Sequence, residues 1–180
     1  MTGVVRTRVG YCGGTLKDPT YHNLGDHSES IQVDYDPTKL TFEQMLDLIW
    51  TSHSPCRTTW SRQYMSAIFY AGDEQKKAIL ASKARLEAKL GEPVKTAILP
   101  LTTFTWAEDY HQKYELRCNA DLMKEFAAMY PETKDFVNST SAARVNGYIA
   151  GRGTPEQLKK EMDLLGLSAE GRKRLEIFVR

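Results

Sequence analysis

The chain has 180 residues, with 24 Lys and Arg against 23 Asp and Glu and a formal net charge of +1. That length suits one domain with a full core and an appendage. Basic and acidic residues are mixed along the chain, which leaves no field for gripping nucleic acid or an anionic membrane. No apolar run approaches the roughly 20 residues needed to span a bilayer. Cys12, Cys56 and Cys118 are widely spaced, odd in number and without metal-type pairing, which argues against a disulfide framework and a zinc site and for a reducing compartment. Met1 to Val5 show no charged region with an apolar stretch behind it, so the cytoplasm is the expected location.

In chain order, Val4 to Val9 alternate as a β-branched strand that begins almost at once, without a polar lead-in. Ile31, Val33 and Tyr35 alternate with Gln32, Asp34 and Asp36 as a half-buried strand, ended by the turn chemistry of Asp36-Pro37. Thr41 caps a helix with Gln44 at the capping-box position, and Phe42, Met45, Leu46, Ile49, Trp50 and His53 share one face. Ser54-Pro55 breaks it. Met65 to Tyr70 is apolar on both faces and reads as a central strand. Asp73 is the expected cap of the charged helix that follows, Gly91 stops it, and Val94 to Leu101 form a further strand.

The alternation predicts an α/β (α+β) fold: a two-layer sandwich of ferredoxin-like split βαβ type, with helices on one face of a mixed sheet. From Tyr114 the pattern becomes helical. Leu122, Met123, Phe126, Met129 and Tyr130 form a stripe, Thr154-Pro155-Glu156-Gln157 starts one helix, and Ser168 caps the last. The expected division is residues 1–115 as the α/β domain and 116–180 as a helical extension whose role is packing.

The chemistry-bearing residues gather around two loops. Asp18-Pro19-Thr20-Tyr21 is turn chemistry, and Gly25-Asp26-His27-Ser28-Glu29 runs directly into the strand at Ile31, placing Tyr21, His27 and Glu29 at one strand end. The polar loop after Pro55, "CRTTWSRQY", delivers Tyr64 beside them. A carboxyl group among tyrosines and low-dielectric walls holds its proton more readily, which makes Glu29 the candidate acid and the two phenols candidate donors to a substrate oxygen. His27, His53 and His111 lie in separate elements without ligand spacing and read as packed or capping residues, not metal ligands. Trp106 to Gln112 open a short helix with acidic residues in its first turn, a scaffold whose polar groups are placed to orient the site. Within "VGYCGG", Cys12 has the setting of a nucleophile, framed by glycines. Cys56 sits in the loop leading to Tyr64, where a thiol is placed for recycling.

Read together, "GVVRTRVGYCGG", "DPTYHN", "GDHSESIQVDYDP", "LTFEQMLDLIWTSHSP", "RQYMSAIFY" and "FTWAEDYHQKY" closely resemble the peptide methionine sulfoxide reductases of the A type, in that family's order and over residues 3–115. The resemblance implies thiol-dependent reduction of methionine S-sulfoxide, free or within proteins, by a monomer without metal or cofactor. The resemblance also implies thioredoxin or a dithiol as external reductant. It assigns Tyr21 of "PTY" and Tyr64 of "QY" to the sulfoxide oxygen and Glu29 of "HSE" to proton donation. It also demotes Cys12 and Cys56, because the family's nucleophile is the cysteine of a Gly-Cys-Phe-Trp motif.

That motif and its strand are expected to precede Gly3 and are not in the sequence, so the chain reads as an N-terminally truncated member. The alternative expectation is an inactive fragment or a module that binds the sulfoxide or a protein without reducing it. The loop after Pro55 is also shorter than the family's and lacks its Gly-Asn-Asp acid, so Thr59, Trp60 or Ser61 is expected to fill that space.

Overall fold

The structure, a computed structural model, describes residues Thr2 to Val179. Its strands are β1 (Val4–Cys12), β2 (Ser28–Tyr35), β3 (Ala67–Tyr70), β4 (Ala97–Pro100) and β5 (Phe104–Trp106). Two helices interrupt them, α1 (Phe42–Thr51) and α2 (Asp73–Leu90). Six more follow: α3 (Tyr114–Arg117), α4 (Ala120–Met129), α5 (Thr133–Asn138), α6 (Thr140–Ile149), α7 (Pro155–Glu161) and α8 (Ala169–Glu176).

The strands form two sheets, one ordered β2-β1-β5 and one pairing β3 with β4. β1 runs antiparallel to β5, with Gly10 opposite Trp106 and Cys12 opposite Phe104. Gly10 permits that close approach, since a Cβ there would stand 2.3 Å from the Thr105 carbonyl oxygen. β3 and β4 are parallel, as a βαβ connection through α2 requires. The α+β class expected from the alternation is therefore present. The central place expected for Met65 to Tyr70 is not: the strand is shorter, and β4 is its only neighbour among the described residues. β5 escapes a sequence reading because three residues cannot establish a period, and its conformation is set by its partner β1.

The chain divides into two compact units, each discontinuous in sequence. One comprises Gly10–Ser30 and Pro37–Ala107. Its core is Leu46 and Trp50 of α1, Ile68 of β3, Ile79 of α2 and Val94. The capping box at Thr41 and Gln44 forms as expected, and it turns the Leu46 and Trp50 face inward. The buried indole of Trp50 donates from Nε1 to Ser82 Oγ at 2.7 Å, so its polar edge is satisfied. Gly91 ends α2 in the left-handed conformation at φ 71°, as the sequence predicts. Asp73 does not cap that helix. Gly72 holds the cap position without a side chain, and Asp73 lies in the first turn, where its charge complements the helix dipole.

The other unit comprises the chain up to Val9, Ile31–Asp36 and the chain from Glu108. The helical stripe closes its core, with Leu122, Phe126, Phe136, Val145 and Leu175 all buried. Thr154 and Gln157 form a second capping box, with Pro155 in the first turn of α7, and Ser168 caps α8. Strand β1 is fastened into this unit by polar contacts. Gln112 Nε2 donates to Val9 O at 2.8 Å and its Oε1 accepts from Val9 N–H at 3.0 Å. Thr140 Oγ1 donates to Val5 O at 2.6 Å. The helix expected from Trp106 to Gln112 shrinks to a single 3₁₀ turn, Asp109–His111.

Candidate active site

At the end of β1 the chain turns through Gly13 and Gly14. Gly13 has φ 80°, a conformation other residues adopt only with strain, and a Cβ on it would sit 2.6 Å from the Phe69 ring. A Cβ on Gly14 would meet the His27 ring at 2.5 Å. His27 is buried and holds the turn from inside: Nδ1 accepts from Gly14 N–H at 3.3 Å, and Nε2 donates to Leu16 O at 2.9 Å. It packs within the turn, with both ring nitrogens engaged by the backbone. His53 is likewise engaged, with Ile49 O at 2.8 Å and Thr96 Oγ1 at 2.8 Å.

Asp26 completes the turn from outside. Its carboxylate accepts from the backbone N–H of Thr15 at 2.7 Å and of Leu16 at 3.2 Å. These donors pull the acid down to about 2, because they bond the ionised form. Arg62 then joins the turn to the second loop. Its Nη2 donates to Gly13 O at 2.8 Å and its Nε to Asp26 O at 2.9 Å.

On this frame the candidate triad assembles. Ser28 Oγ donates to Arg62 O at 2.7 Å, and Glu29 N–H donates to Gln63 O at 2.9 Å, so the start of β2 lies along Arg62-Gln63. Gln63 Nε2 donates to Glu29 Oε1 at 2.7 Å. Tyr64 follows, and its phenol hydrogen-bonds to that of Tyr21. That bond, with the charge of Tyr21, some desolvation and the charge of Glu29, raises Tyr64 above the ordinary phenol value. Tyr21, Glu29 and Tyr64 therefore stand together at one strand end.

Two expectations about the surroundings need correction. Glu29 is exposed rather than enclosed by low-dielectric walls. Thr59 and Trp60 do not fill the space left by the shortened loop: Thr59 is exposed and Trp60 is 98% exposed. The partner of the Glu29 carboxyl is Gln63, a residue the sequence reading passed over although it directly precedes Tyr64.

The thiols are poorly placed to react. Cys12 is 2% exposed at the end of β1, and burial pushes its thiol up, with a Ser30 hydrogen bond only partly offsetting the effect. Desolvation and the carboxylates of Glu92 and Glu87 push Cys56 up as well. Both therefore favour the unreactive thiol over the thiolate. Cys118 is exposed on the helical side of the chain, where it hydrogen-bonds Tyr114. Among the described residues no group of three His, Cys, Asp or Glu side chains could hold a metal ion, and no helix is long and apolar enough to cross a membrane.

The profile of one family, "Peptide methionine sulfoxide reductase", matches residues 1–145. The chain belongs to the peptide methionine sulfoxide reductase family. A Drosophila melanogaster peptide methionine sulfoxide reductase is 42% identical over 168 residues, covering 92% of this chain and 67% of the relative. Peptide methionine sulfoxide reductase A5 of Arabidopsis thaliana is 38% identical, covering 91% and 65%. This family member thus spans about two thirds of the length of those relatives. Among solved structures, methionine sulfoxide reductase A of Corynebacterium diphtheriae aligns with a TM-score of 0.55 at 32% identity, covering 66% of this chain and 65% of that one. Reduced Mxr1 of Saccharomyces cerevisiae aligns with a TM-score of 0.60 at 28% identity, covering 66% and 73%. The family match runs beyond Tyr114 into α6, so it includes part of the helical region as well as the candidate site.

Proposed function

We propose that this chain carries the substrate-oxygen and proton-donor half of a peptide-methionine (S)-S-oxide reductase. The observation that carries the reading is the Tyr21 to Tyr64 hydrogen bond with the Glu29 carboxyl beside it. A sulfoxide oxygen bears partial negative charge and accepts hydrogen bonds. Two converging phenols suit it, and a carboxylic acid beside them can deliver a proton as the S–O bond breaks.

In the proposed reaction a cysteine thiolate attacks the sulfoxide sulfur. The oxygen, protonated by Glu29 and held by Tyr21 and Tyr64, passes to the cysteine as sulfenic acid, and the methionine thioether leaves. Two thiol equivalents, from thioredoxin or a dithiol, then reduce the sulfenic acid to thiol with loss of water. The buried or electronegatively surrounded Cys12 and Cys56 do not suit the attacking role. The nucleophile assigned is the cysteine of the family's Gly-Cys-Phe-Trp segment, outside this sequence. The substrate is methionine sulfoxide, free or in proteins, the working form is a monomer, and the expected compartment is the cytoplasm.

The test is reduction of racemic methionine sulfoxide by the complete gene product with dithiothreitol, resolving the two sulfur epimers. The S epimer should be consumed and the R epimer left, with Glu29→Gln lowering the rate about 10²-fold or more. Tyr64→Phe should lower it less, since Tyr21 still donates. A folded complete product that leaves both epimers intact would end this reading.

A further inference from the structure

Glu29 is exposed, so packing does not fix its carboxyl, and something else must hold it in a working orientation. The only side-chain hydrogen bond on that carboxyl among the described residues comes from Gln63, whose Nε2 lies 2.7 Å from Oε1. The same two residues are tied through their backbones, Glu29 N–H to Gln63 O at 2.9 Å. On one side of the pair Ser28 Oγ bonds Arg62 O at 2.7 Å, and Arg62 itself grips the Gly13 and Asp26 carbonyls. Gln63 is half-buried, and Arg62 on its N-terminal side is held by these bonds.

We infer that Gln63 is a positioning residue for the Glu29 carboxyl, deciding which oxygen carries the transferable proton. An amide N–H bonds a carbonyl oxygen better than an acid hydroxyl oxygen. With Gln63 donating to Oε1, the carbonyl character settles on Oε1 and the proton on Oε2. Rotation of an exposed glutamate among its rotamers would otherwise spread the proton over many directions, and catalysis depends on holding reacting groups in line. Gln63 adjoins Tyr64 in sequence, so one loop sets both the proton donor and one of the phenols. The inference rests on the reading of Glu29 as the proton donor.

The test is a double-mutant cycle in the complete gene product, read as the single-turnover rate of sulfoxide consumption by pre-reduced protein. Gln63→Ala should slow that step about tenfold with little change in the sulfoxide concentration needed for half-saturation. Gln63→Met keeps length and bulk without a donor, and it should be as slow as Gln63→Ala. In a Glu29→Gln background neither substitution should slow the step further. Urea midpoints within error of the parent establish that the variants fold. A Gln63→Met protein with the parent's rate, or losses that multiply fully in the Glu29→Gln background, would overturn the positioning role while leaving Glu29 in place. A Glu29→Gln protein as fast as the parent would remove the proton-donor reading itself, and this inference with it.

Discussion

The Arg62 guanidinium donates to the Gly13 carbonyl oxygen at 2.8 Å, a bond between residues 49 apart in sequence. With its second bond to Asp26 O, it couples the glycine turn to the loop that carries Gln63 and Tyr64. Arg62→Ala should therefore loosen the turn locally. Amide exchange at Gly14 and Thr15 should accelerate, while global stability falls by only about 1 kcal/mol because the side chain is solvent-exposed. Arg62→Lys should restore little, since an ammonium cannot reach both carbonyls as a planar fork does. Native-state hydrogen exchange checks it; unchanged protection at both amides would be the contrary outcome.

Asp26 gives the same turn a pH limit. Its acid is lowered from the usual 3.8 to about 2 by the Thr15 and Leu16 amides. A depressed acid favours the folded turn above the unfolded value, and that contribution is lost as pH falls from about 4 through about 2. Chemical shifts of the Thr15 and Leu16 amides should titrate in that range, and the titration should vanish in Asp26→Asn.

Lys113 gives an alkaline counterpart, set by burial rather than by bonds to the ionised form. It adopts φ 55°, is 5% exposed, and donates from Nζ to Thr7 O at 2.5 Å and Val137 O at 3.0 Å. Burial, with Arg8 and Arg117 nearby, lowers it from 10.5 to about 8. The unfolded chain thus binds more protons between about 8 and 10.5, so this lysine makes stability rise with pH across that window. Urea unfolding at pH 7.5 and 9.5 should show a gain on the order of 1–2 kcal/mol, and Lys113→Met should abolish the gain. A stability that falls over that range in the parent, with the same fall in the variant, would contradict the assignment. Higher pH is unsuitable, because Tyr148 is held above the ordinary phenol value by burial and by Glu161, and stability falls once the unfolded chain's tyrosine ionises while the folded one stays protonated.

The helical core makes its own prediction. Phe126 is fully buried and stacks edge-on against Phe136 with ring centroids 6.1 Å apart. Phe126→Ala should cost about 3–5 kcal/mol, measured by urea unfolding. Leu164→Ala, at a side chain 79% exposed, should cost under about 0.5 kcal/mol.

What the sequence disclosed depended on how local the determinant is. The capping boxes at Thr41 and Thr154, the Ser168 cap and the Gly91 stop each lie within one helical turn of the residues they control, and each was legible. β5, and the pairing of β3 with β4 alone among the described residues, are decided by partners elsewhere along the chain, which periodicity does not encode. At the site, Tyr21, Glu29 and Tyr64 were named because their residue types carry chemistry. Gln63 and Arg62 were not, because their roles come from hydrogen bonds spanning 34 to 49 residues. Asp26 was visible only as part of a turn, and nothing nearby in sequence marks Thr15 and Leu16 as its donors.

The fastening of β1 also bears on how the protein is made. The Val4 carbonyl accepts from Arg144, 140 residues later, and the Val5 carbonyl from Thr140, 135 residues later. At roughly 5–20 residues per second on the ribosome, β1 waits on the order of ten seconds after its own synthesis for these partners. Until then its apolar residues and open backbone stay available to chaperones, so translation speed between β1 and α6 should govern the soluble yield.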